Sequence, residues 1–196
     1  MVIFLDTETT GLRPGNICQL SYIIQSNGKL SAKNMFFSVD FVEFSAFMVH
    51  GFSVEKLAKL SNGKRFNDFA LEIMDDFSKA DVIVAHNTSF DFMFLRKEFE
   101  DLGLAFEPKD SFCSMKNMMT VCKLARSSGN GYKYPKLSEL CSFLGITDTQ
   151  ILKESQRLFG EKSGYHDARF DTTAVYLAVN KAIEKGFICD KLGELL

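Results

Sequence analysis

Two hydrophobic rhythms alternate along the chain. Residues 2–5 form an unbroken apolar run that stops at Asp6, the mark of a strand buried on both faces. Residues 17–25 read as a second strand. Asn27-Gly28 is a hairpin signal that leads into a third strand around 35–39. The period then becomes helical. Ser53 can cap a short helix reaching Leu60, and Phe66, Phe69, Ala70, Ile73, Met74 and Phe77 recur on one helical face. Residues 82–85 are a short buried strand, followed by a helix over 87–102 that carries Phe90, Phe94, Leu95 and Phe99 together. Further helices are expected over 114–124, 136–144, part of 148–159, and 168–185. Strands first, then strand–helix alternation, predict an α/β domain with a mixed sheet.

Length and composition narrow this picture. A chain of 196 residues can bury a substantial core, and no Pro/Gly/Ser-rich linker or internal repeat divides it, so residues 1–196 are expected to form a single domain. With 23 Lys+Arg against 25 Asp+Glu, the net charge is −2, which excludes a strongly polycationic binder. A protein that meets nucleic acid through metal ions and one local basic patch is not excluded. No apolar run approaches the roughly 18 residues of a membrane span, and the opening run is too short for a signal peptide. No membrane partner and a cytoplasmic location are therefore expected. The five cysteines are widely spaced with no Cys-x-x-Cys pair, so reduced, buried thiols are expected rather than a disulfide framework or a zinc knuckle. The 20 phenylalanines, with no tryptophan, are expected to lie mostly in the core.

Candidate chemistry is acidic. Asp6 and Glu8 stand two apart at the end of the first strand, where side chains i and i+2 share a face. Like charges so placed repel unless a cation lies between them. The Asp-x-Glu spacing alone says nothing, since about one such pair arises by chance in this composition. Its position does, because α/β sheets place their sites at the carboxyl ends of strands. A third acid, Asp91, follows the 82–85 strand in His86-Asn87-Thr88-Ser89-Phe90-Asp91, and a fourth closes His166-Asp167-Ala168-Arg169-Phe170-Asp171. His166 precedes the expected helix and Asp171 lies inside it, so the imidazole can lean over a site the carboxylate helps build. His50 and His86 carry weaker cases: a satisfied structural histidine and a strand-end residue bonded to backbone.

Taken in order, Phe4-Leu5-Asp6-Thr7-Glu8-Thr9-Thr10-Gly11-Leu12, the 86–91 segment and the 166–171 segment resemble the three motifs of the DEDDh 3′→5′ exonuclease family. The likeness spans residues 2 to 180, and His50-Gly51-Phe52-Ser53 is similar to a short segment many members carry before the second motif. Histidine five residues before Asp171 matches this subgroup. Tyr165, six before it, does not fit the sister subgroup with tyrosine four before the aspartate. The resemblance implies an RNase H-like fold, a mixed five-stranded sheet flanked by helices, forming one exonuclease domain. It also implies a two-ion phosphodiester hydrolase. Asp6, Glu8, Asp91 and Asp171 would hold two Mg²⁺ or Mn²⁺ ions, hard cations suited to oxygen ligands. His166 would take the proton of the attacking water, a task for which imidazole suits neutral pH.

The same resemblance places Thr7, Thr9, Thr10, Gly11 and Leu12 against the terminal nucleotide, Leu12 as a wedge on the last base. His50, Asn87 and Phe90 become candidate wall residues, with core packing the preferred reading of Phe90. Between Asp110 and Glu139 the chain has no acid but carries Lys116, Lys123, Arg126, Lys133 and Lys136 around the loop 127–132. Lys133 and Lys136 are the candidate strand-guiding lip. The expected partner is nucleic acid with a free 3′ end, single-stranded DNA ahead of RNA, cut to nucleoside 5′-monophosphates. A catalytically inactive binding module is the rival, opposed by five filled catalytic positions. A calcium-binding domain is opposed by the lack of an Asp-x-Asp-x-Asp-Gly loop. With about ten residues after the last helix, a stand-alone repair or processing role is preferred to proofreading. A polymerase partner is possible but not indicated, and the oligomeric state is left open.

Overall fold

The structure, a computed structural model, describes residues 1–161, 163–164, 166–189 and 191–196. A five-stranded sheet of order β3-β2-β1-β4-β5 forms its centre. Strand β1 (Val2–Thr9) pairs antiparallel with β2 (Ile17–Ser26) and parallel with β4 (Val82–Ala85). Outside these lie β3 (Lys29–Phe36), antiparallel to β2, and β5 (Ser111–Cys113), parallel to β4. This is the mixed five-stranded sheet anticipated above.

Both faces are covered, as the apolar run of β1 requires. Val2 and Phe4 point into a core shared with Phe170, Ala174, Val175, Ala178 and Val179 of the 17-residue helix Ala168–Glu184. Ile3 and Leu5 point to the opposite core. There they meet the helices Ala70–Lys79 and Thr88–Glu100. In chain order the helices are α1 (Phe44–His50), α2 (Val54–Leu60), α3 (Ala70–Lys79), α4 (Thr88–Glu100), α5 (Ser114–Asn117), α6 (Met119–Cys122), α7 (Leu137–Leu144), α8 (Asp148–Phe159), α9 (Ala168–Glu184) and α10 (Lys191–Leu195). Ser53 caps α2 as expected, accepting the Lys56 N–H. No helix among the described residues is long and apolar enough to cross a membrane.

Several elements differ from the sequence reading, each for a local reason. Strand β1 does not end at Asp6 but runs to Thr9, so the acids lie within the strand, just before an irregularity between Glu8 and Thr9. The third strand is Lys29–Phe36 rather than 35–39. Asn27 and Gly28, at φ 50° and 71°, complete the turn in two residues, and pairing resumes at once with Ser26 opposite Lys29. As an edge strand it carries Lys29, Ser31 and Lys33, which hides it from a hydrophobic scan. The amphipathic stretch from Phe66 opens with a 3₁₀ turn, Phe66–Asp68, before α3. The expected helix over 114–124 breaks into α5 and α6 at Met118. Helix α1 was not anticipated. Phe41, Phe44 and Phe47, expected in the core with Phe36, Phe37 and Phe52, are instead 67%, 76% and 38% exposed, whereas Phe37 and Phe52 are buried.

Aromatic packing holds the α3–α4 side. Phe99 meets Phe66 edge-to-face at 5.1 Å and stacks on Phe106 at 5.8 Å. Phe99→Ala should cost about 3–5 kcal/mol, as large-to-small changes at buried rings do. Urea unfolding monitored by circular dichroism measures it, and a loss under 1 kcal/mol would mean this ring cluster is not a core.

Candidate active site

The alternation that buries β1 also divides its polar end. Asp6 and Glu8 continue the Phe4 face and point toward α9, while Thr7 continues the Leu5 face toward α4. Asp171, in the first turn of α9, meets the first pair: carboxylate oxygens of Asp6, Glu8 and Asp171 lie within 4.8 Å of one another. On the other side, Thr7 Oγ1 donates to Asp91 Oδ1 at 2.9 Å, orienting the acid that α4 brings forward. Asp91 is not part of the tight triplet but lies near enough to raise the proton affinity of Asp6.

No lysine, arginine or histidine pairs with Asp6, Glu8 or Asp171 among the described residues. Burial, followed by repulsion from Asp171, Asp91 and Glu8, holds the Asp6 carboxyl well above its ordinary range. Burial and then Asp171 push Glu8 up to about 8. Asp171 rises to about 7 through burial and the neighbouring Asp167, and Asp91 to about 7 through burial, opposed by the Thr7 hydroxyl. Clustered oxygen donors with no protein countercharge fit a divalent cation of the Mg²⁺ or Mn²⁺ type.

His166 stands at the N-terminal approach to α9, exposed, with φ 56°, and lines one cavity with Asp171 and Lys136. Tyr165 lies outside the described residues. Asn87 stands at the N-cap position of α4 at φ 78°, with no capping bond from its side chain. Left-handed backbone in a non-glycine residue costs on the order of 1 kcal/mol or more, and such residues gather at functional sites.

The other candidate residues are distributed as follows. The hydroxyls of Thr7, Thr9 and Thr10 are engaged within the protein: Thr7 with Asp91, Thr9 donating to the Gly11 carbonyl, and Thr10 accepting the Asn16 N–H. Leu12 projects beyond them, 76% exposed. Gly11 is packed so closely on Glu43 that an added Cβ would meet that side chain at 2.4 Å. His50 is buried. Its Nε2 lies 3.2 Å from the Thr9 carbonyl and its Nδ1 accepts the Phe52 N–H, so both nitrogens serve the backbone. His86 bonds Ser114 and the Pro135 carbonyl, and burial lowers it to about 4. Phe90 is half-buried against Phe94, with centroids 5.0 Å apart. Lys133 is paired with Glu139, whereas Lys136 lines the His166 cavity. The loop between them and α6 is closed by a bridge between Ala125 and Tyr132.

Sequence reasoning missed Glu98. Two helical turns beyond Asp91, it is buried and accepts the Ile17 N–H at 2.8 Å and Asn16 Nδ2 at 3.3 Å, fixing the far end of the 10–16 loop. A glutamate within an otherwise apolar helical face was its only signal.

The raised carboxyls carry a pH dependence. A folded pKa above the unfolded value means that these groups bind more protons in the folded chain, so their contribution to stability is fully present below about pH 4 and is lost as pH rises through about 7 to 8. The metal-free melting temperature should therefore fall across that window as far as these groups control it. Asp6→Asn should flatten the fall, and Mg²⁺ or Mn²⁺ should reverse it at pH 8. A scanning-fluorimetry series that shows no difference between wild type and Asp6→Asn would remove carboxylate repulsion as the cause.

Comparison with known proteins agrees with this geometry. An exonuclease family model, RNase_T, matches residues 3–178. The DNA polymerase III epsilon subunit of Rickettsia felis is 32% identical over 145 residues, 71% of this chain and 60% of that protein. The epsilon subunit of Pasteurella multocida is 29% identical over 158 residues, 76% and 59% respectively. The 3′-5′ exonuclease DinG of Staphylococcus haemolyticus is 28% identical, the match covering 69% of this chain and 15% of that one. The chain thus spans about 60% of the length of the epsilon relatives. In fold it is similar to the metal-free E. coli ExoI–ssDNA complex, with a TM-score of 0.68 at 16% identity over 94% of this chain and 39% of that one. With the family model covering nearly its whole length and the acids of all three motifs gathered at one strand end, the chain belongs to the DEDDh-type 3′→5′ exonuclease family.

Proposed function

We propose that this chain removes nucleoside 5′-monophosphates one at a time from the 3′ ends of single-stranded DNA, using two divalent ions. The observation that carries the reading is the Asp6–Glu8–Asp171 triplet, without countercharge among the described residues, flanked by Asp91 on one side and His166 on the other. Residues 1–196 act as one exonuclease domain. A pair of Mg²⁺ or Mn²⁺ ions would supply Lewis-acid stabilisation of the phosphoryl and leaving oxygens and acidify the attacking water.

The chain's own residues do the rest. Asp6 and Glu8 present oxygens from a strand buried on both faces, so their separation is fixed before any ion arrives. Asp171 approaches from α9, and Asp91 is aimed by the Thr7 hydroxyl. His166 accepts the water proton. Leu12, projecting from a loop anchored at Thr10 and Asn16, abuts the terminal base. Thr7, Thr9, Thr10 and Gly11 shape the surface beneath the nucleotide, their hydroxyls and most of their peptide groups being bonded within the protein. His50 holds that segment through the Thr9 carbonyl, and Asn87 and Phe90 form the opposite wall. Lys136 is the nearer basic contact, since Lys133 is neutralised by Glu139.

A 5′-labelled oligonucleotide should shorten in single-nucleotide steps with Mg²⁺ or Mn²⁺ and resist cleavage in chelator. Matched RNA and double-stranded arms measure preference. Faster cutting of RNA would replace DNA as the substrate, and cleavage of circular DNA would sink the exonuclease reading. Asp6→Ala should abolish activity with the fold intact. His166→Ala should lower kcat about 10²–10⁴-fold, as loss of a general base does. His50→Ala should act more weakly and on KM. A His166→Ala enzyme within tenfold of wild type would mean the base is elsewhere.

A further inference from the structure

His166 is exposed, and no hydrogen bond to a described residue holds its ring. Its backbone lies in the left-handed region, where a side-chain-bearing residue stays only if its surroundings over-determine it. Those surroundings are built one residue later. Asp167 Oδ1 accepts from Arg169 N–H at 3.0 Å, from Arg169 Nε at 2.9 Å and from Gln19 Nε2 at 2.9 Å. Its Oδ2 accepts from Arg169 Nη2 at 2.7 Å. Arg169 then reaches across the segment, donating from Nη1 to Glu161 at 2.8 Å, so one guanidinium joins both ends of the stretch that carries His166.

Gln19 is the inner anchor. It lies in β2, fully buried, directly opposite Glu8 in the antiparallel register, with Ser21 opposite Asp6. Its amide is spent on two places. Nε2 donates to Asp167 and, at 2.8 Å, to Asn34 Oδ1, while Oε1 accepts the Ala168 N–H at 3.1 Å. Asn34 in turn accepts from Ser21 at 2.7 Å, which fixes the direction in which Gln19 points. A buried amide is costly unless satisfied, and here two of its three hydrogen bonds go to the residues immediately following His166. Capping does not require it, because Asp167 caps α9 by itself through the Arg169 N–H.

We propose that Gln19, acting with Asp167 and Arg169, is the positioning unit of His166. Through it, the strand pair that carries Asp6 and Glu8 also sets where the imidazole stands over them. The carboxylates on β1 and the anchor on β2 are cross-strand neighbours, so base and ligand set share one ruler. The effect rests on His166 being the base. The hydrogen bonds of Gln19 go to Asn34, Asp167 and Ala168 and to none of the site carboxylates. Its loss should therefore act on kcat and spare KM.

A double-mutant cycle separates positioning from mere structure. On a single-stranded oligonucleotide, Gln19→Leu should lower kcat about 10–100-fold, the scale of a misplacement of about 1 Å, with KM within about threefold. In a His166→Ala background the same change should lower kcat less than about twofold, because the group it positions is gone. Metal-free amide exchange supplies a readout independent of catalysis: the Ala168 and Arg169 amides should lose protection in Gln19→Leu, while β1 keeps its own. Gln19→Glu keeps size and the acceptor for the Ala168 N–H but sets a carboxylate against Asp167. It stands in if Gln19→Leu does not fold, with the same expectations for kcat and with lost protection read at the Arg169 amide, whose acceptor Asp167 it repels. An undiminished loss of kcat in the His166→Ala background, or unchanged exchange at 168–169, would overturn the positioning role. A His166→Ala enzyme within tenfold of wild type overturns the base assignment instead, and exchange then decides whether Gln19 fixes the segment.

Discussion

Strand β1 must be apolar on both faces to sit at the centre of the sheet, and it must also deliver carboxylates at its end. The two demands are met by one alternation. Val2 and Phe4 lead to Asp6 and Glu8 on the α9 side, and Ile3 and Leu5 lead to Thr7 on the α4 side. Every other part of the site follows from that parity. Asp171 can complete the triplet because α9 covers the Phe4 face, and Asp91 can be aimed by Thr7 because α4 covers the Leu5 face. A one-residue slip of β1 would exchange the two sets and leave neither site.

The arrangement is costly in the free protein. Four carboxyls are held above their ordinary range mainly by burial, and among the described residues no cation pairs with the tight triplet. Nearby polar groups follow the opposite pattern. Asp167 is held below its ordinary range despite burial, because Arg169 and Gln19 bond it, and Arg169 is itself kept ionised by Asp167 and Glu161. The fold compensates the charge that orients the segment and leaves uncompensated the charges that await a ligand. That contrast within a few residues separates an oriented structural acid from a site acid.

The sequence revealed most of the centre and little of the periphery. β1, β2, β4 and the helices α3, α4, α7, α8 and α9 are marked by apolar period, because each packs an unbroken face on the sheet. Edge strand β3 is polar, β5 has three residues, and α1 turns its phenylalanines outward, so none obeys the rule that burial writes into sequence. Among the candidate site residues, the four acids and His166 were singled out through their motifs, and the fold gathers Asp6, Glu8 and Asp171 with Asp91 beside them. Gln19 and Glu98 were not. Each is a single polar residue inside an apolar pattern, and its meaning lies in partners far along the chain, Asp167 and Ile17, that only folding brings near.

Charge placement resolves an apparent conflict between a net charge of −2 and a polyanionic substrate. A ligand set that needs four acids makes the site itself negative until cations fill it, so general basicity would be needed only along the strand's path. In the proposed function the acid-free stretch between Asp110 and Glu139 would supply that path, but the fold edits it. Glu139 closes on Lys133 and on the Lys136 N–H, capping α7, while the Lys136 side chain is left lining the cavity beside His166. Exposed pairs contribute little to stability, so the Glu139 contacts matter chiefly for where they leave Lys136. A positive charge in the cavity of the imidazole is thereby set by a helix cap, and a linear count of lysines could not have located it.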